Sequence, residues 1–347
     1  MGLPSGTFNQ SYAQDMAIFR TSAQWVILLA FLAFLFTCPL YFSDRILTIM
    51  TIIGITVISV LGLNILTGYC NQVSLGHAGF MAVGAYTSAI LTTNLGWSFW
   101  VALPCAALMA GLVGIIFGLP SLRVKGFYLI LATVAAYFII MWVILQFQNV
   151  TGGADGLAVS RPEIGGFVLK SKASYFYLVM IIACLATFFA QNIVRTRAGR
   201  AFIAIRDNEL AAEVMGVNLW AYKLMAFFIG CVFAGVAGSL LVHYFAFATV
   251  DQFPFMNSVW YLGMLIVGGI GSIPGAIFGV ISLKLLDELV TIVGPILARV
   301  VAPQAAASLG LIMRGLVIII FLIFEPRGLA HRWGRVKAYY RLWPFSH

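Results

Sequence analysis

Charge is what this 347-residue sequence has least of: its 20 Lys and Arg and 11 Asp and Glu amount to 9%, against about 25% in soluble globular proteins. So few ionisable groups cannot coat a soluble fold. Hydrophobic residues reach 62%, where roughly 45–50% is usual, and the mean hydropathy is +1.02. These figures exclude a soluble enzyme and a disordered chain. The net charge of +9 does not indicate a nucleic-acid partner, because the basic residues fall between apolar runs rather than in one patch. Cysteine is sparse too. Cys38, Cys70, Cys105, Cys184 and Cys231 are scattered without a Cys-x-x-Cys pair, which suits buried thiols better than a disulfide framework or a metal site. There is no Gly-Lys dipeptide, so the chain has no Walker-type phosphate loop, and it has neither HExxH nor Gly-x-Ser-x-Gly.

What is present is long uncharged sequence. Between Ile46 and Leu122 there is no Asp, Glu, Lys or Arg, room for about three helical spans of about 20 residues each. Gly126–Ala154, Ala173–Val194, Leu224–Val250 and Gln252–Leu283 are further uncharged runs. In hydrocarbon only helices or closed barrels satisfy the backbone, and these runs are too continuously apolar for barrel strands. The expected fold is an all-α polytopic membrane protein, a bundle of about eight to ten transmembrane helices. The candidate spans are Trp25–Phe42, Ile46–Leu66, Phe80–Thr93, Phe99–Leu119, Phe127–Phe147, Tyr175–Ala190, Leu224–Tyr244, Trp260–Leu283, Leu285–Val301 and Leu311–Phe324. Asp287, Glu288 and Arg299 leave Leu285–Val301 open between a span and an interfacial helix.

With a cytoplasmic N-terminus, Arg20, Arg123–Lys125, Arg195–Lys223, Lys284 and Arg327–Arg341 fall inside. They hold fourteen Lys and Arg, against five in the outside loops, the asymmetry that sets orientation. Residues 1–24 read as a cytoplasmic leader followed by a retained helix, 25–324 as the membrane domain and 325–347 as a basic cytoplasmic tail. The loop at 149–172 falls outside and the loop at 192–223 inside. Small-residue stripes at Gly230, Ala234 and Gly238, and at Gly271, Gly275 and Gly279, read as close helix packing.

Three segments stand out. In Gly68–Phe80 the glycines Gly68, Gly76 and Gly79 accompany Asn71, Gln72, Ser74 and His77. Polar groups at membrane depth are costly unless paired or beside a wet path. The segment is either an interrupted helix beside a translocation route or a cytoplasmic turn between spans. A second interruption, with Gly269, Gly271, Pro274 and Gly275, stands in the other half, and paired breaks suggest an inverted repeat around a transport site. Asn64, Asn71, Gln72, Ser74 and His77 are the candidates for the substrate path. In the loop Asn192–Lys223, Asp207 or Asn208 can cap a two-turn helix carrying Glu209 in its first turn and stopped at Gly216. So short a helix needs a docking surface. The outer loop beginning Thr151–Gly156 reads as a flexible turn, and His243 as a satisfied bundle histidine. Asp251, Asp287 and Glu288 sit near expected span ends, so buried carboxylates for ion coupling are scarce and the energy for any transport comes from another subunit.

These pieces together resemble the membrane permeases of ABC importers for branched-chain amino acids, of the LivM type. The matching motifs are GYCNQVSLGHAGFMAVGAYT at Gly68–Thr87, GFYLILAT at Gly126–Thr133, TGGADG at Thr151–Gly156, RAGRAFIAIRDNELAAEVMGVN at Arg197–Asn218, YKLMAF at Tyr222–Phe227 and VGGIGSIPGAIFG at Val267–Gly279. The resemblance implies an importer of two different permeases (the second of LivH type), two cytoplasmic ATPases holding ATP and Mg, and a periplasmic substrate-binding protein. It implies no cofactor in this chain, no nucleic-acid partner, and a multi-pass protein of the bacterial inner membrane with both termini cytoplasmic. It also implies that Arg206, Asp207, Glu209, Ala211, Ala212, Glu213 and Gly216 couple to the ATPase. The importer pattern Glu-Ala-Ala-x3-Gly here has Leu210 in place of its glutamate. Relatives of the family also handle urea, short amides and aromatic acids, which leaves the solute open. An ATP-independent channel or secondary carrier is the alternative of another class.

Overall fold

The computed structural model describes residues 22–122, 126–164, 167–168, 171–297 and 328–342, with scattered positions between 312 and 324. Nearly all of the leader and much of the expected span Leu311–Phe324 lie outside the described residues, as does the end of Leu285–Val301. The elements are α1 (Ser22–Tyr41), α2 (Asp44–Leu63), α3 (His77–Thr93), α4 (Phe99–Gly118), α5 (Phe127–Gln146), α6 (Lys172–Arg195), α7 (Arg197–Asp207), α8 (Glu209–Val214), α9 (Leu219–Phe245), α10 (Phe255–Gly268), α11 (Ile273–Leu297) and α12 (Gly328–Leu342). Two-residue strands β1 (Leu157–Ala158), β2 (Glu163–Ile164), β3 (Phe167–Val168) and β4 (Phe247–Ala248) lie in the connections.

The chain is an all-helical polytopic membrane protein. Among the described residues five helices are long and apolar enough to cross a bilayer: α2 with its continuation to Tyr69, α4, α5, α6 and α9. The helix α1 is a shorter apolar one. At 17 residues, α3 is about 25 Å long at 1.5 Å per residue.

The last described spans differ from expectation. Trp260–Leu283 is not one span followed by a separate helix at Leu285. Instead α10 and α11 meet at 117° across a break, and α11 runs on without interruption through Lys284, Asp287 and Glu288. The backbone supplies the reason. Gly269 and Gly271 take φ of 114° and 75°, a region closed to most side chains, whereas Lys-Leu-Leu-Asp-Glu contains no breaker. Lys284 therefore belongs to a helix and not to a loop beside Arg195–Lys223. Glu288 pairs with Arg45 at the start of α2, where Lys172 also lies 3.7 Å from Asp44.

The core is built on α9, which packs against α2, α3 and α4. Lipid chains are as apolar as leucine, so helices associate through close contact rather than through release of water. Small residues provide it: Gly230 faces Gly62 of α2, a Cβ on Gly84 of α3 would overlap the Gly235 backbone, and a Cβ on Gly238 would overlap the Met81 carbonyl. The second stripe does the same for the hairpin, with Gly275 and Gly279 against Gly268 and Met264.

The connection between α5 and α6 is held rather than free. Gly152 stops the single turn Gln148–Thr151 in a left-handed conformation, and β1 pairs antiparallel with β4. Thr93 Oγ1 donates to Ala158 O at 3.0 Å, and Trp100 Nε1 donates to Glu163 O at 3.0 Å. His243 is satisfied on both sides, 2.9 Å from Ser88 Oγ and 2.9 Å from Ser160 O. These partners come from outside the loop, which explains why its own composition read as a flexible turn.

Gly238→Val forces α9 from α3 and is expected to cost roughly 1–3 kcal/mol, as overpacking does. Thermal unfolding of the detergent-solubilised protein should show a lowered midpoint. Gly334→Ala, where a Cβ meets open space, should not lower it.

Candidate functional site

The two glycine-rich interruptions, some two hundred residues apart in the chain, touch. At its end α2 widens into a π-helical turn, Asn64–Tyr69, and Asn64 at its start is fully buried. Its amide Nδ2 donates to Ser272 O at 3.0 Å, and its Oδ1 accepts from Gly271 N at 3.0 Å. One side chain thus satisfies both a donor and an acceptor of the opposite break. The close seat requires glycine: a Cβ on Gly68 would lie 2.6 Å from Gly271 N. Pro274 stands in the first turn of α11, where a missing N–H costs nothing, and Gly275 N donates to Ser272 Oγ at 3.2 Å.

Beyond Tyr69 the chain leaves helical geometry until His77. Several of the freed groups find protein partners. Thr67 Oγ1 donates to Gln72 O at 3.0 Å and Gln72 N to Leu66 O at 3.1 Å. Leu75 N donates to Thr133 Oγ1 at 3.1 Å, Gly76 N to Ser74 Oγ at 3.3 Å and Ala78 N to Ser258 Oγ at 2.9 Å. Gly79 seats α3 against Tyr137 of α5. Asn71, at φ 56°, is exposed, while Cys70, Gln72, Ser74, Gly76 and His77 are buried. This is an interrupted helix packed inside protein, the setting in which irregular backbone is tolerated at membrane depth, and not an exposed turn.

The candidate path residues therefore occupy different situations. Asn64 braces the two breaks, and Ser74 caps Gly76. His77 Nε2 lies 2.9 Å from Ser59 O and so donates to it, leaving Nδ1 as an acceptor, buried without a hydrogen-bond partner. Its ring meets Tyr261 edge-on at 6.3 Å. Gln72 Oε1 is likewise buried without a partner. Ser59, Thr133 and Ser258 carry no mark in the sequence, since lone hydroxyls in apolar helices usually bond their own preceding turn.

The loop Arg195–Lys223 adds a second element. Thr196 caps α7, its side chain accepting from Gly199 N, and α7 buries Ala201, Phe202 and Ile205. That periodicity was available in the sequence, but the expectation covered only the helix after it. Asn208, one of the two residues proposed as cap, caps α8 through Oδ1 and Ala211 N at 3.1 Å. Gly216 at φ 83° ends it, and Val217 N bonds back to Ala212 O at 3.0 Å. Ala212 turns inward at 3% exposure, whereas Leu210, Val214 and Met215 stand 70%, 87% and 83% exposed. Ala211 and Glu213 are exposed too. Glu209 is bonded within the chain, its Oε1 2.7 Å from the Nζ of Lys223, a lysine buried in the first turns of α9. Arg206 pairs with Asp207 at 2.9 Å and reaches Gly271, where a Cβ would lie 3.0 Å from its Nη1. Through Arg206 of α7 this loop is thereby in direct contact with the paired breaks.

The model of the family described as branched-chain amino acid transport system / permease component matches residues 45–322. The high-affinity branched-chain amino acid transport system permease protein LivM of Escherichia coli K12 is 31% identical over 333 residues, covering 89% of this chain and 75% of that protein. A probable LivM of Methanocaldococcus jannaschii is 27% identical over 66% of this chain and 67% of its own length. LivH of Salmonella typhimurium is 24% identical over 72% and 86%. No solved structure matches.

Asn64→Leu keeps approximate volume but strands the Gly271 N–H and the Ser272 carbonyl, at about 1–3 kcal/mol for each buried group left unpaired. Hydrogen exchange at 269–272 should speed up and the unfolding midpoint should fall. Unchanged exchange there would show that Asn64 is not the brace.

Proposed function

This chain belongs to the family of permease components of branched-chain amino acid transport systems, and we propose that it is one of two different permeases in an ATP-driven importer of branched-chain amino acids. It is a multi-pass membrane transport subunit rather than an enzyme. The partners in this reading are a LivH-type permease, two ATPases carrying ATP and Mg, and a substrate-binding protein on the outer face. The membrane is the bacterial inner membrane, with both termini cytoplasmic. The names of the similar LivM and LivH proteins support the solute class.

The observation that carries the reading is the outer face of α8. A six-residue helix that exposes Leu210, Val214 and Met215 to water has no reason to persist unless something covers it. An ATPase without a counterpart in this chain is the fitting occupant. Force on α8 has two ways into the membrane domain: Glu209–Lys223 pulls on α9, the helix at the centre of the bundle, and Arg206 bears on the break at Gly271. In alternating access, closure of the ATPase pair would shift α9 against α2 and α3 and disturb the braced breaks. Asn71, Gln72, Ser74 and His77 lie on the segment that such a movement rearranges.

Three outcomes are expected. Cysteine at Leu210 or Val214 should crosslink to a cysteine on the ATPase, and cysteine at the inward Ala212 should not; no crosslink at any exposed α8 position would remove the docking role. Lys223→Met should leave ATP hydrolysis running in the assembled importer while leucine uptake drops at least tenfold. Leucine uptake by membrane vesicles should vanish without ATP or without the ATPase subunits, and uptake that persisted would instead favour a channel or secondary carrier.

A further inference from the structure

The connection between α5 and α6 is tied to one end of α9, and α8 to the other. Lys223, in the first turns of α9, holds Glu209 of α8. His243, in its last turn, holds the connection through Ser160. Twenty residues of one unbroken helix without proline separate the two ties. At 1.5 Å per residue that is about 30 Å, the thickness of a bilayer's hydrocarbon core. The chemistry of the His243 tie is fixed. Ser160 presents its carbonyl oxygen, which only accepts, so the ring carries its hydrogen on Nδ1 and donates at 2.9 Å. Nε2 is then an acceptor, 2.9 Å from Ser88 Oγ of α3, and Ser88 Oγ accepts in turn from Ser239 Oγ at 2.8 Å. His243, Ser88 and Ser239 are all buried, and the Phe99 ring at the start of α4 meets the imidazole edge-on at 4.8 Å. Four consecutive residues of the connection are joined to this end of α9. Leu157 and Ala158 pair with Ala248 and Phe247, Val159 N donates to Ala246 O at 3.0 Å, and Ser160 O accepts from His243. Of these four partners three follow the helix, and His243 is the one inside it.

We propose that His243 is a positioning residue of transport: its bond to Ser160 O fixes the connection to α9, so that α9 carries displacement between that connection and α8. The proposal rests on the importer reading above, in which the connection lies on the side of the substrate-binding protein and α8 on the side of the ATPase. Contact of the loaded binding protein with the connection reaches α8 through His243, α9 and Lys223. A coupling between two sites is reciprocal, so movement of α8 with ATP shifts the connection as well. His243 itself touches no solute. Its part is to make a segment at one face of the membrane follow a helix driven from the other.

Three substitutions divide the work of the ring. His243→Asn sets an amide N–H where Nδ1 stands, keeping the donor to Ser160 O and losing the acceptor for Ser88. His243→Gln reaches the Nε2 position, keeping the acceptor for Ser88 and losing the tie to Ser160. His243→Phe keeps the ring against Phe99 and loses both bonds. The measurement is ATP hydrolysis by the assembled importer in nanodiscs, with and without its leucine-loaded binding protein. Wild type and H243N should be stimulated alike, whereas H243Q and H243F should lose at least fivefold of the stimulation with hydrolysis in the absence of binding protein unchanged. Normal stimulation in H243Q and H243F, or an equal loss in H243N and H243Q, would overturn the role given to the Ser160 tie. Hydrogen exchange on the wild type needs no variant to assemble: trapping with ATP and vanadate should change exchange at 157–160, and exchange unaltered there would overturn the proposal too. These outcomes bear on His243 when the complete wild-type system takes up leucine with ATP. Absence of that uptake would overturn the importer reading itself.

Discussion

The pairing of Asn64 with the backbone of Gly271 and Ser272 is the interaction on which the arrangement depends. Away from water, a peptide group released from a helix must find another partner inside the protein. Here two helices are interrupted, one at Tyr69–Gly76 and one at Gly269–Ser272, and one carboxamide spans the gap between them. Glycine at 68 and 271 allows the backbones to come close enough for that amide to reach. Threonine and serine hydroxyls from α5 and α10 then accept from the N–H groups of Leu75 and Ala78. The breaks are tolerable because they are shared.

Such an arrangement is suited to movement in a way that a plain bundle is not. A continuous helix resists bending along its length, whereas a braced break changes direction when a few hydrogen bonds exchange partners. Buried acceptors without partners at Gln72 and His77 sit in the same segment, where an exchange of partners finds groups to receive it. The loop between α6 and α9 reaches this region from outside the bundle through Arg206, and reaches the core through Lys223. In the proposed importer the permease family and the exposed apolar face of α8 make sense of each other: the force would originate outside the chain and enter where its charges are densest.

Much of this was legible in the sequence. The scarcity of charge indicated lipid, the long uncharged runs indicated helices, and the cap at Asn208 with the stop at Gly216 delimited α8 closely. Glycine-rich segments marked both breaks. The error at Trp260–Leu283 came from weighing the charges of Lys284, Asp287 and Glu288 above the glycines at 269 and 271. A charge reads as a loop only when water is the sole thing able to satisfy it. Glu288 is satisfied by Arg45 from α2 instead, and Lys284 and Asp287 too have interactions within the protein.

By itself the sequence determined the solvent, the helical class, the family and the local stops and caps. Each of these depends on composition or on residues within a turn or two of one another, where propensity and hydropathy act. Tertiary structure alone decided that the two breaks meet, that Asn64 joins them and that Glu209 belongs to Lys223. Those outcomes depend on contacts between residues far apart in the chain, up to 208 positions for Asn64 and Ser272. No local sum of preferences contains them, because the partner's position exists only once the bundle has closed around α9.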